Sequence, residues 1–238
     1  MSKKLLMNKF NNVDGLSPVQ DGLVCWLDAF DLYTYEISTV WLDRTNNGNN
    51  GTVGMTPVVT SVGNGVLEAK SFVNIPNPTK GLSDYTVEIG YQDNTKGYWL
   101  GLWGNTSTSD SSFPYGISFY QGDNMIRTYP LNINSPEYTG LHGGKNYITF
   151  TFNSTGFSIY INGEIYESIT FNTNRQVYQS NADYFCFMAR KPNSVSTDTN
   201  TGADFISAKW YYLRIYNREL TEEEIVNNYN YELSLSRG

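Results

Sequence analysis

The sequence predicts an all-β protein built as an antiparallel β-sandwich, and two observations support that prediction. Aromatic residues make up 15% of the 238 residues and Tyr alone occurs 19 times, whereas only 16% are charged. Aromatic and β-branched side chains pack well on pleated, half-buried sheets, and a helical protein would be richer in Ala, Leu, Glu and Lys. From about residue 65, short apolar runs alternate with Gly, Asn, Asp or Pro clusters, a spacing typical of sandwiches and barrels.

The beginning of the chain predicts a polar segment followed by one domain. Residues 1–20 are mostly polar and indicate an arm or linker, so the domain is assigned to 21–238. The run GLVCWLDAF predicts a first strand buried on both faces. In WLDRTNNGNNGTV an apolar start gives way to Asn and Gly, which predicts a long loop that returns to a strand near residues 51–53.

The remaining strands follow in a regular series, with one clear hairpin. Asn162-Gly163 can supply the positive φ angles of a tight two-residue turn, and alternation then puts Phe157, Ile159 and Ile161 on one face. The predicted strands lie in VLEAKSFVNI, YTVEIGY, YWLGLW, YGISFY, MIRTYPL, NYITFTF, FSIYING, EIYESITF, YFCFMAR and KWYYLRIYN.

One helix is predicted near the end of the sequence. Thr221 and Glu224 have the spacing of a capping box, in which the Thr side chain accepts from the N3 amide and the Glu side chain reaches back. Ile225 and Tyr229 then lie one turn apart on the same face. We expect a short helix that docks on the sandwich.

Charge and hydropathy limit the partners. The net charge is −7, and no cluster of Lys and Arg provides a footprint for nucleic acid or for an anionic membrane. No apolar stretch approaches the roughly 20 residues of a membrane span, and the basic start lacks the apolar core of a signal peptide. We therefore expect a cytoplasmic product with no nucleic-acid or membrane partner.

The cysteines and the single histidine indicate no metal centre of the Cys/His type. Cys25 and Cys186 lie in apolar runs, where a buried reduced thiol is expected, although a disulfide between them stays possible. His142 stands in the glycine-rich segment LHGGKN and is interpreted as an exposed loop residue rather than a catalytic base.

Several segments together resemble the laminin-G-like, or concanavalin-A-like lectin/glucanase, superfamily. They are GLVCWLDAFD, WLDRTNNGNNGT, YTVEIG, FSIYINGEIY and LRIYNRELTEEEIVNNY, and the resemblance extends over about residues 21–233. It implies a jelly roll of two curved antiparallel sheets. It also implies functions that range from carbohydrate binding to adhesion and phage or bacterial surface proteins, because one fold hosts many functions.

The leading hypothesis is a non-enzymatic module that binds cell-surface glycans and is displayed on a phage virion. The alternative is a structural decoration, tail or baseplate protein that other virion proteins hold through residues 1–20 and that is oligomeric. The less favoured alternative is a glycoside hydrolase, which needs two carboxylates across a cleft. Glu88 is the nearest strand carboxylate, but no acidic residue follows at the second position, so it is interpreted as structural.

Calcium is the one cofactor that the sequence raises. Related domains often hold one such ion, and Asp28, Asp31 and Asp43 lie in the segments that carry the resemblance. Hard cations need several oxygen ligands, which these carboxylates would supply. The alternative is that the three residues stabilise turns.

The aromatic segment YWLGLW supplies the candidate ligand site. In a strand, Trp99 and Trp103 share a face with Gly101 between them, which forms a flat platform on which a sugar ring could stack. The alternative is that both indoles fill the core. The predicted ligand-binding residues are Trp99, Trp103, Tyr115, Tyr120, Arg127 and Tyr129.

Overall fold

The computed structural model describes residues 16–32, 40–53, 58–63, 65–70, 73–93, 99–105, 116–120, 125–129, 133–134, 144–170, 184–187, 189–190, 204–205 and 208–237. Within these ranges, side chains are described for residues 16–32, 40–52, 65–67, 73–92, 144–170, 184–185 and 208–237.

Two large antiparallel sheets make up the sandwich. The first, called the back sheet, has the order β14 (Glu164–Thr170), β13 (Gly156–Ile161), β12 (Lys145–Asn153), β7 (Tyr85–Asp93), β18 (Ala208–Tyr216), β5 (Val66–Lys70) and β4 (Val58–Gly63), and β1 (Leu23–Asp28) also pairs with β18. The second, called the front sheet, has the order β11 (Ile133–Asn134), β10 (Met125–Tyr129), β9 (Gly116–Tyr120), β8 (Trp99–Asn105), β15 (Tyr184–Phe187), β6 (Val73–Pro76), β3 (Gly51–Val53) and β2 (Val40–Trp41). A small sheet pairs β16 (Ala189–Arg190) with β17 (Asp204–Phe205). The predicted jelly-roll-like sandwich is confirmed.

The main core lies between the two sheets. Strand alternation sends every second side chain inward, so both sheets contribute to one apolar cluster. Residues of this cluster from the back sheet include Val87, Ile89, Phe150 and Leu213, and those from the front sheet include Trp41, Val73, Ile75 and Phe185. Cys25 belongs to the same cluster as a free thiol, so the disulfide alternative does not hold, and burial raises its pKa.

The predicted hairpin is confirmed and joins β13 to β14. Asn162 and Gly163 have φ angles of 54° and 81°, in the left-handed region that a tight turn between twisted strands requires. Phe157, Ile159 and Ile161 are buried in the main core, as the alternation predicts.

The predicted helix, α1 (Glu222–Ser234), covers the outer face of the back sheet. Thr221 Oγ1 accepts from the amide of Glu224 at 3.3 Å, and the Glu224 carboxylate accepts from the amide of Thr221 at 2.9 Å, which confirms the capping box. A second apolar cluster fills the space between helix and sheet; it includes Trp26, Tyr160, Tyr216, Ile225 and Tyr231.

Two details differ from the sequence-based expectation. The run VLEAKSFVNI contains two strands, β5 in the back sheet and β6 in the front sheet. The sequence did not reveal the crossing between sheets, because no Gly, Pro or Asn separates the two strands. The polar segment assigned to 1–20 is partly packed: the amide of Val19 donates to Asn228 Oδ1 at 2.7 Å, and Asn227 donates to the carbonyl of Ser17 at 3.1 Å. The packed domain therefore extends back at least to Leu16, whose side chain contacts the second cluster; residues 1–15 lie outside the described residues.

Candidate functional site

The register of the front sheet identifies its outer face. In an antiparallel pair, residues directly across from each other project to the same side of the sheet. Phe185 pairs with Ile75, and both are buried in the core. The next residue, Cys186, pairs with Asn74 on one side and with Trp103 on the other, so these three positions belong to the face turned away from the core. Asn74 is half-buried, in agreement with this assignment.

We call this outer surface the front face and define it by the outward positions of the described strands. They are Val40, Thr52, Asn74, Pro76, Trp99, Gly101, Trp103, Asn105, Gly116, Ser118, Tyr120, Met125, Arg127, Tyr129, Asn134, Tyr184 and Cys186. The alternate positions on β8, β9 and β10 are mostly apolar, as an inward face requires; they include Leu100, Leu102, Ile117, Phe119 and Ile126.

Three rows of residues cross the middle of the front face. Adjacent strands are about 4.8 Å apart, and successive rows on one face are about 7 Å apart along the strands. The two outer rows contain the tryptophans and tyrosines, and the central row contains small and polar residues. Read across β8, β9 and β10, the rows are Trp99–Tyr120–Met125, Gly101–Ser118–Arg127 and Trp103–Gly116–Tyr129. Asn134 of β11 pairs with Arg127 and extends the central row.

The backbone thus brings five of the six predicted ligand residues to positions on one face. Trp99, Trp103, Tyr120, Arg127 and Tyr129 occupy front-face positions, but their side chains lie outside the described part of the structure. Tyr115 and His142 lie outside the described residues altogether.

Sequence reasoning did not select two polar members of the central row. They are Ser118 and Asn134. Alternation within YGISFY would have identified Ser118 as a neighbour of Tyr120 on one face. Asn134 could not be found in this way, because its strand is only two residues long.

The three aspartates predicted as calcium ligands already have protein partners. Asp31 receives two hydrogen bonds from Arg44, at 2.7 and 3.0 Å. Asp43 accepts from the amides of Trp26 and Thr45, both at 3.0 Å, and so holds the Asn-rich loop against β1. Asp28 is fully buried between two arginines. In the part of the chain that the structure describes, no group of His, Cys, Asp and Glu is arranged to hold a metal ion. The geometry therefore favours the turn-stabilising alternative, and calcium binding stays a prediction.

A chain of alternating charges connects α1 with the back sheet, and its residues are buried except Arg44 and Asp31, which are partly exposed. Its order is Glu88–Arg214–Glu232–Arg237–Asp28–Arg44–Asp31. Arg237 makes the central connection: its Nη atoms lie 3.0 Å from both Asp28 carboxylate oxygens, and its Nε lies 2.9 Å from Glu232. The guanidinium groups are the partners that allow these carboxylates to stay inside the protein.

Burial and charge act in opposite directions on the pKa values of Asp28 and Glu88. Burial raises the pKa of Asp28, but Arg237 and Arg44 outweigh it and hold that pKa well below its ordinary value. For Glu88, burial dominates and raises the pKa, although Arg214 and Asn228 offset part of the effect. Glu88 is 1% exposed and accepts two bonds from Asn228, which agrees with its interpretation as structural.

No protein-family model matches the chain, and neither does any curated protein sequence. Solved structures are similar in fold. A mutant of Trypanosoma rangeli sialidase that displays trans-sialidase activity has a TM-score of 0.67 and 13% identity; the match covers 98% of this chain and 38% of the sialidase, so the chain spans about two-fifths of that protein's length.

A second neighbour matches over nearly its whole length. Domain 4 of AbnA, a GH43 extracellular arabinanase from Geobacillus stearothermophilus in complex with arabinotriose, has a TM-score of 0.60 and 16% identity over 87% of this chain and 97% of the domain. Both similarities concern the fold alone, a jelly-roll-like antiparallel β-sandwich. None of the helices in the described ranges is long and apolar enough to cross a membrane.

Proposed function

We propose that the chain is a non-enzymatic carbohydrate-binding module that holds a glycan on its front face. The observation that carries the proposal is the register of β8, β9 and β10, which brings two tryptophan positions and two tyrosine positions to one face around a central row of small and polar residues. The similarity to an arabinanase domain solved with arabinotriose adds support, because it concerns a fold of the same kind and size.

The chemistry of these residue types suits sugar binding. Aromatic rings offer flat apolar surface to the C–H groups of a sugar ring, and they do so at low entropic cost because they have few rotatable bonds. Gly101 and Gly116 stand between the aromatic positions, where they leave space for a ligand to approach the sheet. The back sheet offers no comparable surface where α1 covers it.

Replacing Trp99 and Trp103 with Ala, singly and together, tests the proposal. On the front face each substitution removes little buried surface, so the melting temperature should stay within a few degrees, whereas binding on a glycan array should be lost. Trp41→Ala is the matched control, because Trp41 is fully buried in the core and a cavity of that size costs about 3–5 kcal/mol.

Two results would contradict the proposal. One is a loss of stability in the Trp99 and Trp103 variants as large as that of Trp41→Ala, which would assign the indoles to the core. The other is an intact protein that binds no glycan on the array. Release of reducing sugar from polysaccharides by the intact protein would favour the hydrolase alternative instead.

A further inference from the structure

We propose that the front face recognises a sugar that carries a carboxylate, and that Arg127 is the residue that binds that group. The inference rests on the proposed carbohydrate-binding function and specifies its ligand class. It follows from one juxtaposition: an arginine position stands in the central row, and aromatic residues occupy the rows on both sides.

The charge pattern of the front face is unusual for this protein. The chain contains 23 acidic and 16 basic residues, so acidic positions outnumber basic ones overall. Among the outward strand positions that define the front face, Arg127 is the one charged residue, and none is acidic. Strand neighbours on this face therefore provide no carboxylate for Arg127, and an anionic ligand group would complement its charge.

The neighbours of Arg127 fit a ligand group of modest size. Ser118 pairs with Arg127 on β9 and Asn134 pairs with it on β11, so two hydrogen-bonding residue types stand beside the charge. Gly101 completes the row on β8 and has no side chain to fill the space. A sugar ring on the aromatic rows would bring a substituent of that ring over this central row.

A carboxylate fits better than the dense sulfate groups of a highly sulfated polymer. Guanidinium donors form a planar fork that matches the two oxygens of a carboxylate. A polymer with many sulfates is held by clusters of Lys and Arg. The front face has one such position in a protein of net charge −7. A single carboxylate per recognised sugar matches that single charge.

The experiment compares acidic glycans with the same glycans after their carboxyl groups are reduced to neutral hydroxymethyl groups. Polygalacturonate, alginate, hyaluronan and polysialic acid serve as probes, beside neutral glycans. At least one acidic probe should bind about tenfold or more tighter than its reduced form, as expected for a charge-assisted hydrogen bond. Arg127→Gln should remove this preference while binding of the reduced form remains. The preference should also weaken as salt is added.

Two further variants make the result specific. Arg127→Lys keeps the charge but loses the fork, so it should retain only part of the preference. Lys209→Gln changes the net charge by the same amount on β18 of the back sheet and should leave binding unchanged. Melting curves of all variants confirm that each is folded.

The outcomes separate this inference from the proposed function. Equal binding of acidic and reduced glycans, a preference for a sulfated neutral polymer, or a preference that survives Arg127→Gln would overturn the carboxylate assignment and leave sugar binding intact. If neither acidic nor neutral glycans bind, both proposals fail together. Both proposals expect the same pair of results. The double variant of Trp99 and Trp103 should lose all binding, and Arg127→Gln should lose only the preference for acidic glycans.

Discussion

Arg237 has almost no exposed surface, yet its guanidinium contacts two carboxylates and two backbone carbonyls. It donates to Asp28 and Glu232, and also to the carbonyl oxygens of Gly65 and Tyr211, at 2.9 and 3.2 Å. Each of the three guanidinium nitrogens therefore has a partner inside the protein in place of water, which is the condition under which a buried charge is tolerated. The Arg237 side chain thus connects the last described residue to β1 through Asp28 and to α1 through Glu232.

Replacing Arg237 with Met should reduce the free energy of unfolding by about 3–5 kcal/mol, because two buried carboxylates lose a partner at once. Arg218→Met is the control. Arg218 also binds a carboxylate, that of Glu224 at 2.6 Å, but both side chains are 27% exposed, and such pairs contribute at most about 1 kcal/mol. Urea unfolding of both variants measures the difference. Equal losses would show that the buried chain of charges contributes no more than a surface pair.

At the scale of elements, the N-terminus of α1 carries its own stabilising contacts. Thr221→Ala should cost about 1 kcal/mol, because the amide of Glu224 loses the acceptor that caps the helix. Thr221→Ser keeps a hydroxyl and should retain most of the stability. Urea denaturation monitored by circular dichroism checks both. A Thr221→Ala protein as stable as the parent would mean that packing of the apolar helix face alone determines the end of the helix.

Local chemistry explains which elements could be predicted. The hairpin at Asn162-Gly163 and the capping box at Thr221 depend on residues within four positions of each other, so the sequence alone specifies them. The chain of buried charges could not be found in this way, because Arg237 and Asp28 are 209 positions apart and meet only in the folded sheet. Arg214, within the apolar run KWYYLRIYN, was the one indication in the sequence that buried charges would be paired, since a charge in a buried strand requires a partner.

The candidate site was predictable to a similar degree. Alternation within YWLGLW put Trp99 and Trp103 on one face, and the strand register adds which face that is and which residues of β9 and β10 stand beside them. The pattern of one strand does not show which distant strand it pairs with, as β8 does with β15. Display on a virion and anchoring through other virion proteins stay predictions from the sequence.

At the scale of the whole molecule, the two outer faces differ in what occupies them. The back sheet has charged positions on its outer face, and α1 encloses them with apolar and ionic contacts. The front face has one charged position and several aromatic ones in the described strands. The buried charges and the proposed binding face therefore lie on opposite sides of the sandwich, and substitutions on one side should affect the other weakly, as distant sites usually do.

The buried charges also determine how the stability of the whole domain responds to pH. The pKa of Asp28 is lower in the folded protein than its ordinary value of 3.8. Its ionised form therefore stabilises the fold at pH values above 3.8, and this contribution is lost as the pH falls through the pKa of the folded state. Glu224 acts in the same direction, because its bonds from Arg218 lower its pKa to about 2. Glu88 acts in the opposite direction, because burial raises its pKa above the ordinary value of 4.5. Its protonation at pH values near and above 4.5 therefore favours the folded state.

The free energy of unfolding should therefore hold or rise slightly as the pH falls from 7 to about 5, and then decrease steeply below about pH 4. Urea unfolding at intervals across this range measures the curve. Glu88→Gln, which fixes a neutral side chain at that position, should reduce the rise in mild acid, because only the raised pKa values of Asp31 and Glu167 then contribute to it. The steep decrease should remain, because Asp28 and Glu224 are unchanged. A parent protein that loses stability steadily from pH 7 to 5 would contradict the raised pKa of Glu88. A curve that stays flat down to pH 3 would contradict the lowered pKa of Asp28, and with it the role of Arg237 and Arg44 as its charged partners.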